Sequence, residues 1–261
     1  MMSEIPYATE MRSTYENFIA RCPRCGFENI FNRASDLKGF RPIAFKIVTC
    51  LGTDCRQPFA INGDSIGPAF EMLVFDCYEL LERKHYAYCV LILAQAFEAF
   101  FGQYLRVELL YRPFALEEDR DIKRFNHLAG RLHEKVKDLS YWDMRNLFFR
   151  CVLKRTHPKS LREAEAVIDA RDFGLRRSRA PDKGELQNVG NQPLSALLTE
   201  LLSCQVHELR NRVVHKMAYR PTLDEVNAAL EETRRILFPL ARILEVRHDV
   251  NWYVRAARQG D

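Results

Sequence analysis

The spacing of apolar residues changes once along this chain, near residue 65, and that change limits what each part can fold into. From Pro68 onward hydrophobic residues recur at the period of an amphipathic helix, and no strand pattern returns. The periodicity predicts helices over 68–83, 86–111, 117–138, 141–156, 159–171, 194–218 and 222–247. Residues 18–64 instead hold four of the eight cysteines, short β-prone runs such as Phe45–Val48, and Gly26, Gly39, Gly52 and Gly63 as turn points. A small β module therefore precedes a helical body, with 1–17 as an N-terminal extension. The longest predicted loop runs from Asp172 to Pro193.

The module is too short and too polar to fold on apolar burial alone. Cys22-Pro-Arg-Cys25-Gly and Cys50-Leu-Gly-Thr-Asp-Cys55 form two knuckles separated by 24 residues. Four thiolates suit a tetrahedral Zn2+, and a site filled by four cysteines leaves no position open for water, so the expected role is structural. Over residues 18–64 the pattern resembles a zinc ribbon, although four residues lie inside the second knuckle where two is commoner. Cys77, Cys89, Cys151 and Cys204 fall in helical patterns at unrelated spacings and read as core residues.

Composition sets bounds on function. With 47% hydrophobic and 28% charged residues, extensive disorder is excluded. A net charge of +4 permits nucleic-acid binding without arguing for it, so any basic footprint must be local. Met1–Glu10 carries Glu4, Pro6 and Glu10 and no apolar run, so no secretory leader is expected there and the expected compartment is the cytoplasm. Eight cysteines in that compartment suit metal ligation or burial better than disulfides. The apolar stretch Tyr86–Ala94 is too short to span a bilayer, and no membrane partner is expected.

The second motif is Arg210-Asn211-Arg212-Val213-Val214-His215. An arginine a few residues before a histidine is common in a chain with 39 basic residues. Here, however, the arginine is followed by a polar residue and flanked by two long predicted helices. Together with the helix Tyr86–Leu110, its Ala94-Gln-Ala-Phe-Glu98-Ala-Phe run, and Pro221 opening the next helix, the motif resembles the HEPN family of helical bundles. The resemblance implies a mainly α fold: a HEPN-like antiparallel helical bundle over 65–261, with a helical insertion at about 113–192, behind a small N-terminal β zinc ribbon over 18–64. It also implies metal-independent cleavage of RNA by a homodimer of the toxin or antiviral-defence type, with an antitoxin or other regulatory protein as a further partner. Arg210, Asn211 and His215 would then be catalytic. Imidazole titrates near neutrality and can move the 2′-hydroxyl proton or protonate the leaving 5′-oxygen. The Arg210 fork would stabilise phosphoryl charge, and Asn211 would orient the phosphate or the imidazole.

On one continuous helix over 194–218, Leu198, Leu202, Val206, Leu209, Val213 and Met217 form the core stripe. Asn211 and His215 lie opposite, on a side shared with Leu197, Leu201 and Cys204, which predicts a covering second subunit. Glu98, in an otherwise apolar helix, is expected either to pair with Arg210 or Arg212 or to face solvent at the helix edge. Arg212, with Arg176, Arg177 and Arg179 of the densest basic stretch, is the candidate set for substrate phosphates. Two other readings stay open at this point: a non-catalytic HEPN module that binds RNA, nucleotide or protein, and a zinc-ribbon regulator of transcription.

Overall fold

The computed structural model describes residues 17–32, 45–62, 69–117, 121–154, 157–174, 179–216 and 219–246. The chain divides into two compact units, one carrying the cysteine knuckles and the other spanning residues 70–247. The protein is mainly helical, with two small antiparallel sheets near its N-terminus.

Each sheet is a hairpin. Strand β1 (Asn17–Arg21) pairs with β2 (Glu28–Asn32), and β3 (Phe45–Thr49) pairs with β4 (Pro58–Asn62). Alternation puts Phe31, Val48, Phe59 and Ile61 inside with Cys22 and Cys50, while Ile30 and Ile47 face out.

The helical unit is built around α2 (Tyr86–Arg106). Helix α1 (Ala69–Glu82) reaches it through a tight turn in which Lys84 adopts a left-handed φ of 59°, His85 N donates to Leu80 O and Lys84 N to Leu81 O. Helix α2 continues through a π-helical turn, Val107–Tyr111, into α3 (Arg112–Leu116). The run Tyr86–Phe114 is long and apolar enough to cross a membrane by length and composition. In this fold α5 (Tyr141–Leu153), α9 (Val206–His215) and α10 (Leu223–Ile243) pack against α2, and 61% of that apolar window is buried within the protein. Phe97, Phe100 and Phe101 of α2 meet Tyr141 and Phe148 of α5 with ring centroids 5.2–6.5 Å apart. Within the span 113–192, α5 thus belongs to the core around α2, while α4 (Ile122–Val136) and α6 (Leu161–Asp169) pack on each other.

Helices α4, α5, α6 and α10 are capped by Asp121, Ser140, Ser160 and Thr222, each accepting a backbone N–H three residues on, and α4 begins at Ile122 instead of the expected 117 because Asp121 caps it there. The expected long loop over 172–193 is interrupted by α7 (Lys183–Gln187), which Asp182 and Glu185 hold by a capping box.

The single helix expected over 194–218 is two helices. Helix α8 (Gln192–Ser203) stops where Cys204 turns to extended backbone, ψ 131°, and α9 begins at Val206. Ser203 Oγ bonds back to the carbonyls of Thr199 and Glu200, and Glu232 of α10 accepts the Gln205 amide at 3.1 Å, so the break is satisfied from both sides. Angular bookkeeping across residue 204 therefore fails. Leu201 is fully buried and Cys204 nearly so, both within the chain's own core, and neither is offered to a second subunit. Leu201→Glu should accordingly unfold the helical unit instead of only splitting a dimer. An unpaired carboxylate in a dry site should lower stability by at least about 3 kcal/mol in urea titrations followed by circular dichroism.

Candidate functional site

The four knuckle cysteines come together: their sulfurs all lie within 4.8 Å of one another, with Cys22 and Cys55 3.9 Å apart and Cys25 and Cys50 3.7 Å apart. A tetrahedron of sulfurs around an ion with bonds of about 2.3 Å has edges of about 3.8 Å. The cluster could hold a metal ion. The long second knuckle is also explained. Cys22 N donates to Phe27 O and Cys50 N to Gln57 O, so both hairpins close behind the first cysteine, and the second holds two extra residues. Its turn is reset by Gly52, whose carbonyl takes the amides of Cys55 and Arg56, as Cys22 O takes that of Gly26. Arg56 (φ 46°) occupies the left-handed position that Gly26 (φ 73°) fills in the first knuckle. The displaced Leu51 amide donates to the fully buried Asn29 side chain at 2.6 Å, and Asn29 in turn donates to Ala20 O and Phe27 O. An Asn between Glu28 and Ile30 offers no sequence signal for this bridge between hairpins.

Arg210, Asn211 and His215 lie on the last two turns of α9. Arg210 is half-buried, and its Nη1 donates to Asn211 Oδ1 at 3.2 Å. His215 is exposed one turn beyond Asn211, at the helix end. Glu98 is half-buried on α2. Burial raises its pKa, and the Arg210 charge opposes that rise, with no ion pair within 4 Å joining the two. Arg212 turns to other work: Nη1 is 3.3 Å from Glu225 Oε1, and the guanidinium lies over the Tyr219 ring at 5.0 Å. Tyr219 Oη donates to the same Glu225 oxygen at 2.5 Å, and Glu225 also closes the capping box of α10. Arg212 therefore fastens the end of α9 to the start of α10.

Of the basic stretch, Arg176 and Arg177 lie outside the described residues, as does Met217 of the expected core stripe. Arg179 is exposed and paired with Asp182 at 3.2 Å and Glu185 at 2.9 Å, so the α7 capping box holds its charge.

Two polar groups escape sequence reasoning. Glu108, almost fully buried in the π-helical turn, is held by Arg112 Nη1 at 2.5 Å and by His157 Nδ1. His207 is buried on α9, one turn before Arg210. Its ring stacks on Tyr141 with centroids 4.0 Å apart and planes 7° apart, and meets Trp142 edge-on at 5.0 Å. A histidine beside Val206 in an apolar stripe reads as a packing residue, and only the fold reveals which groups surround it.

Burial, then the charges of Arg210 and Arg145, push the His207 pKa down to about 4. The titratable groups gathered around this cluster are Glu98 of α2, Tyr141 and Arg145 of α5, Cys204, Arg210, and Glu232 of α10. In the unfolded chain the imidazole takes up a proton near pH 6.5, whereas the folded chain holds it neutral until about 4. Stability should therefore fall as pH drops across that window, by about 3 kcal/mol in all. His207→Phe should flatten this part of the curve in urea titrations run at a series of pH values.

Comparison with known families, curated proteins and solved structures finds no match for this chain.

Proposed function

We propose that the helical unit is a metal-independent endoribonuclease of HEPN type that cuts single-stranded or looped RNA, and that the cysteine module is a zinc ribbon. The observation that carries the first part is the end of α9. Arg210 and Asn211 are joined by a hydrogen bond, the exposed His215 follows one turn later, and the Glu98 carboxylate lies close enough to feel the Arg210 charge. A guanidinium beside an amide suits a phosphodiester whose charge grows during transfer. The exposed imidazole is free to move the proton of the attacking 2′-oxygen or of the leaving 5′-oxygen.

One histidine serves both proton transfers poorly, and a homodimer that faces two α9 ends across a cleft supplies a second. Val214 and Leu223, both exposed large apolar residues beside His215 and at the start of α10, are the surface that such pairing would cover. A cytoplasmic role as a toxin or antiviral-defence nuclease, restrained by an antitoxin or another regulatory protein, follows from this activity. Zinc is the ion proposed for the cysteines because sulfur separations of 3.7 and 3.9 Å fit its thiolate bonds, and it would be structural.

The test is incubation of the purified full chain with total RNA in EDTA. New fragments ending in 2′,3′-cyclic phosphate are the expected result of attack by the 2′-oxygen. RNA that is bound and left whole would favour the non-catalytic module, and preference for duplex DNA would favour a transcriptional regulator.

A further inference from the structure

Three buried polar atoms of the helical unit have no hydrogen-bond partner and belong to side chains of one cluster: Tyr141 Oη, Arg145 Nε and His207 Nδ1. The three residues are only 4%, 5% and 6% exposed. Such groups are uncommon in folded proteins because each forfeits its hydration. The cluster is tightly ordered by its rings. His207 lies flat on Tyr141 and edge-on to Trp142, and the Arg145 guanidinium covers Trp142 at 4.2 Å while its Nη1 donates to Leu202 O at 3.3 Å. Arg210 stands three residues after His207, hence on the neighbouring turn of the same helix face.

We propose that His207 positions Arg210. Clamped between Tyr141 and Trp142, the imidazole fixes the turn of α9 from which the arginine projects. Its Nδ1, unpartnered within the chain like Tyr141 Oη and Arg145 Nε, keeps the buried site behind that turn polar. An uncharged ring is needed in that place, since a third cation near Arg145 and Arg210 would push Arg210 away from Glu98. His207 touches no substrate and acts through Arg210. The assignment rests on the ribonuclease reading for its functional readout.

His207→Phe keeps a flat ring for the stack and removes both nitrogens. In the full chain it should retain its thermal midpoint and bind a single-stranded oligonucleotide with 2′-deoxy sugars within about 2-fold of wild type. Its single-turnover cleavage of the matching RNA should fall about 10-fold, a typical scale for a misplaced catalytic group. In the double variant with Arg210→Ala the two losses should not multiply, because both remove the same contribution. Wild-type cleavage by His207→Phe, or losses that multiply, would overturn the proposal.

A wild-type chain that cuts no RNA overturns the ribonuclease reading instead, and the coupling is then read from the His207 ring by nitrogen-detected NMR. Arg210→Ala should move its titration upward toward the ordinary histidine range. An unmoved titration would overturn the positioning role independently of any activity.

Discussion

Removing the metal should unfold the cysteine module and leave the helical unit standing. Among the described residues the module buries, apart from its cysteines, four large apolar side chains, Phe31, Val48, Phe59 and Ile61. Fixing its two hairpins costs about 1–2 kcal/mol per residue in backbone entropy, far more than burial of four side chains returns. Cysteine-ligated sites of this kind contribute on the order of 10 kcal/mol or more to folding. Elemental analysis should find about one zinc per chain. Cys22→Ser or Cys50→Ser, each replacing a sulfur with almost no exposure, should release it. Amide hydrogen exchange over residues 17–32 and 45–62 should then lose its protection, while the helical circular dichroism persists because α5, α9 and α10 pack on α2 through their own side chains. Full metal occupancy in both variants would exclude the site.

What was legible in the sequence was whatever rests on local pattern. The four cysteines meet because each pair sits on a tight turn closed by its own hairpin, and the helix starts follow side chains that cap them locally. The bridge from Asn29 to Leu51 was invisible because it joins residues of two different hairpins through a single amide. The break at Cys204 lacks a strong local signal for a related reason. Its satisfaction comes partly from Glu232 on a helix far along the chain, while the local sequence offers only Ser203 bonding back to its own turn.

At the candidate site the same division holds. The Arg210–Asn211 contact is between sequence neighbours, whereas the influence of Arg210 on Glu98 depends on α2 packing against α9, which no local pattern in either helix states. By its charge alone Arg212 reads as a phosphate contact. The fold gives that charge Glu225 and Tyr219, which cluster around the start of α10. Arg179 reads likewise in its basic run, and α7 with its cap Asp182, which the Gly and Pro content conceals, supplies its two carboxylates. His207 gained its meaning entirely from Tyr141, Trp142 and Arg145, whose place beside α9 is set by the packing of α2 against α5 and α9.

His215→Ala and Arg210→Ala should each slow RNA cleavage by at least ~100-fold, the usual scale for losing a general acid or base or a charge-stabilising donor. The two losses should arise differently. His215 is exposed at the end of α9, so its removal takes away a proton carrier while folding and RNA binding stay as they were. Arg210 is half-buried and its charge opposes the desolvation of Glu98, so its removal takes that compensation from the carboxylate. Arg210→Ala should therefore also lower the thermal midpoint at neutral pH. The deficit should shrink as the pH falls and Glu98, whose pKa is raised in the folded chain, becomes neutral. Arg210→Lys keeps a positive charge and loses the fork that a phosphate engages in two places, so it should restore the midpoint far better than the rate. The cleavage that remains in wild type should be indifferent to EDTA. A His215→Ala variant cutting at the wild-type rate would remove the imidazole from the mechanism, and an Arg210→Lys variant fully restored in rate would remove the fork.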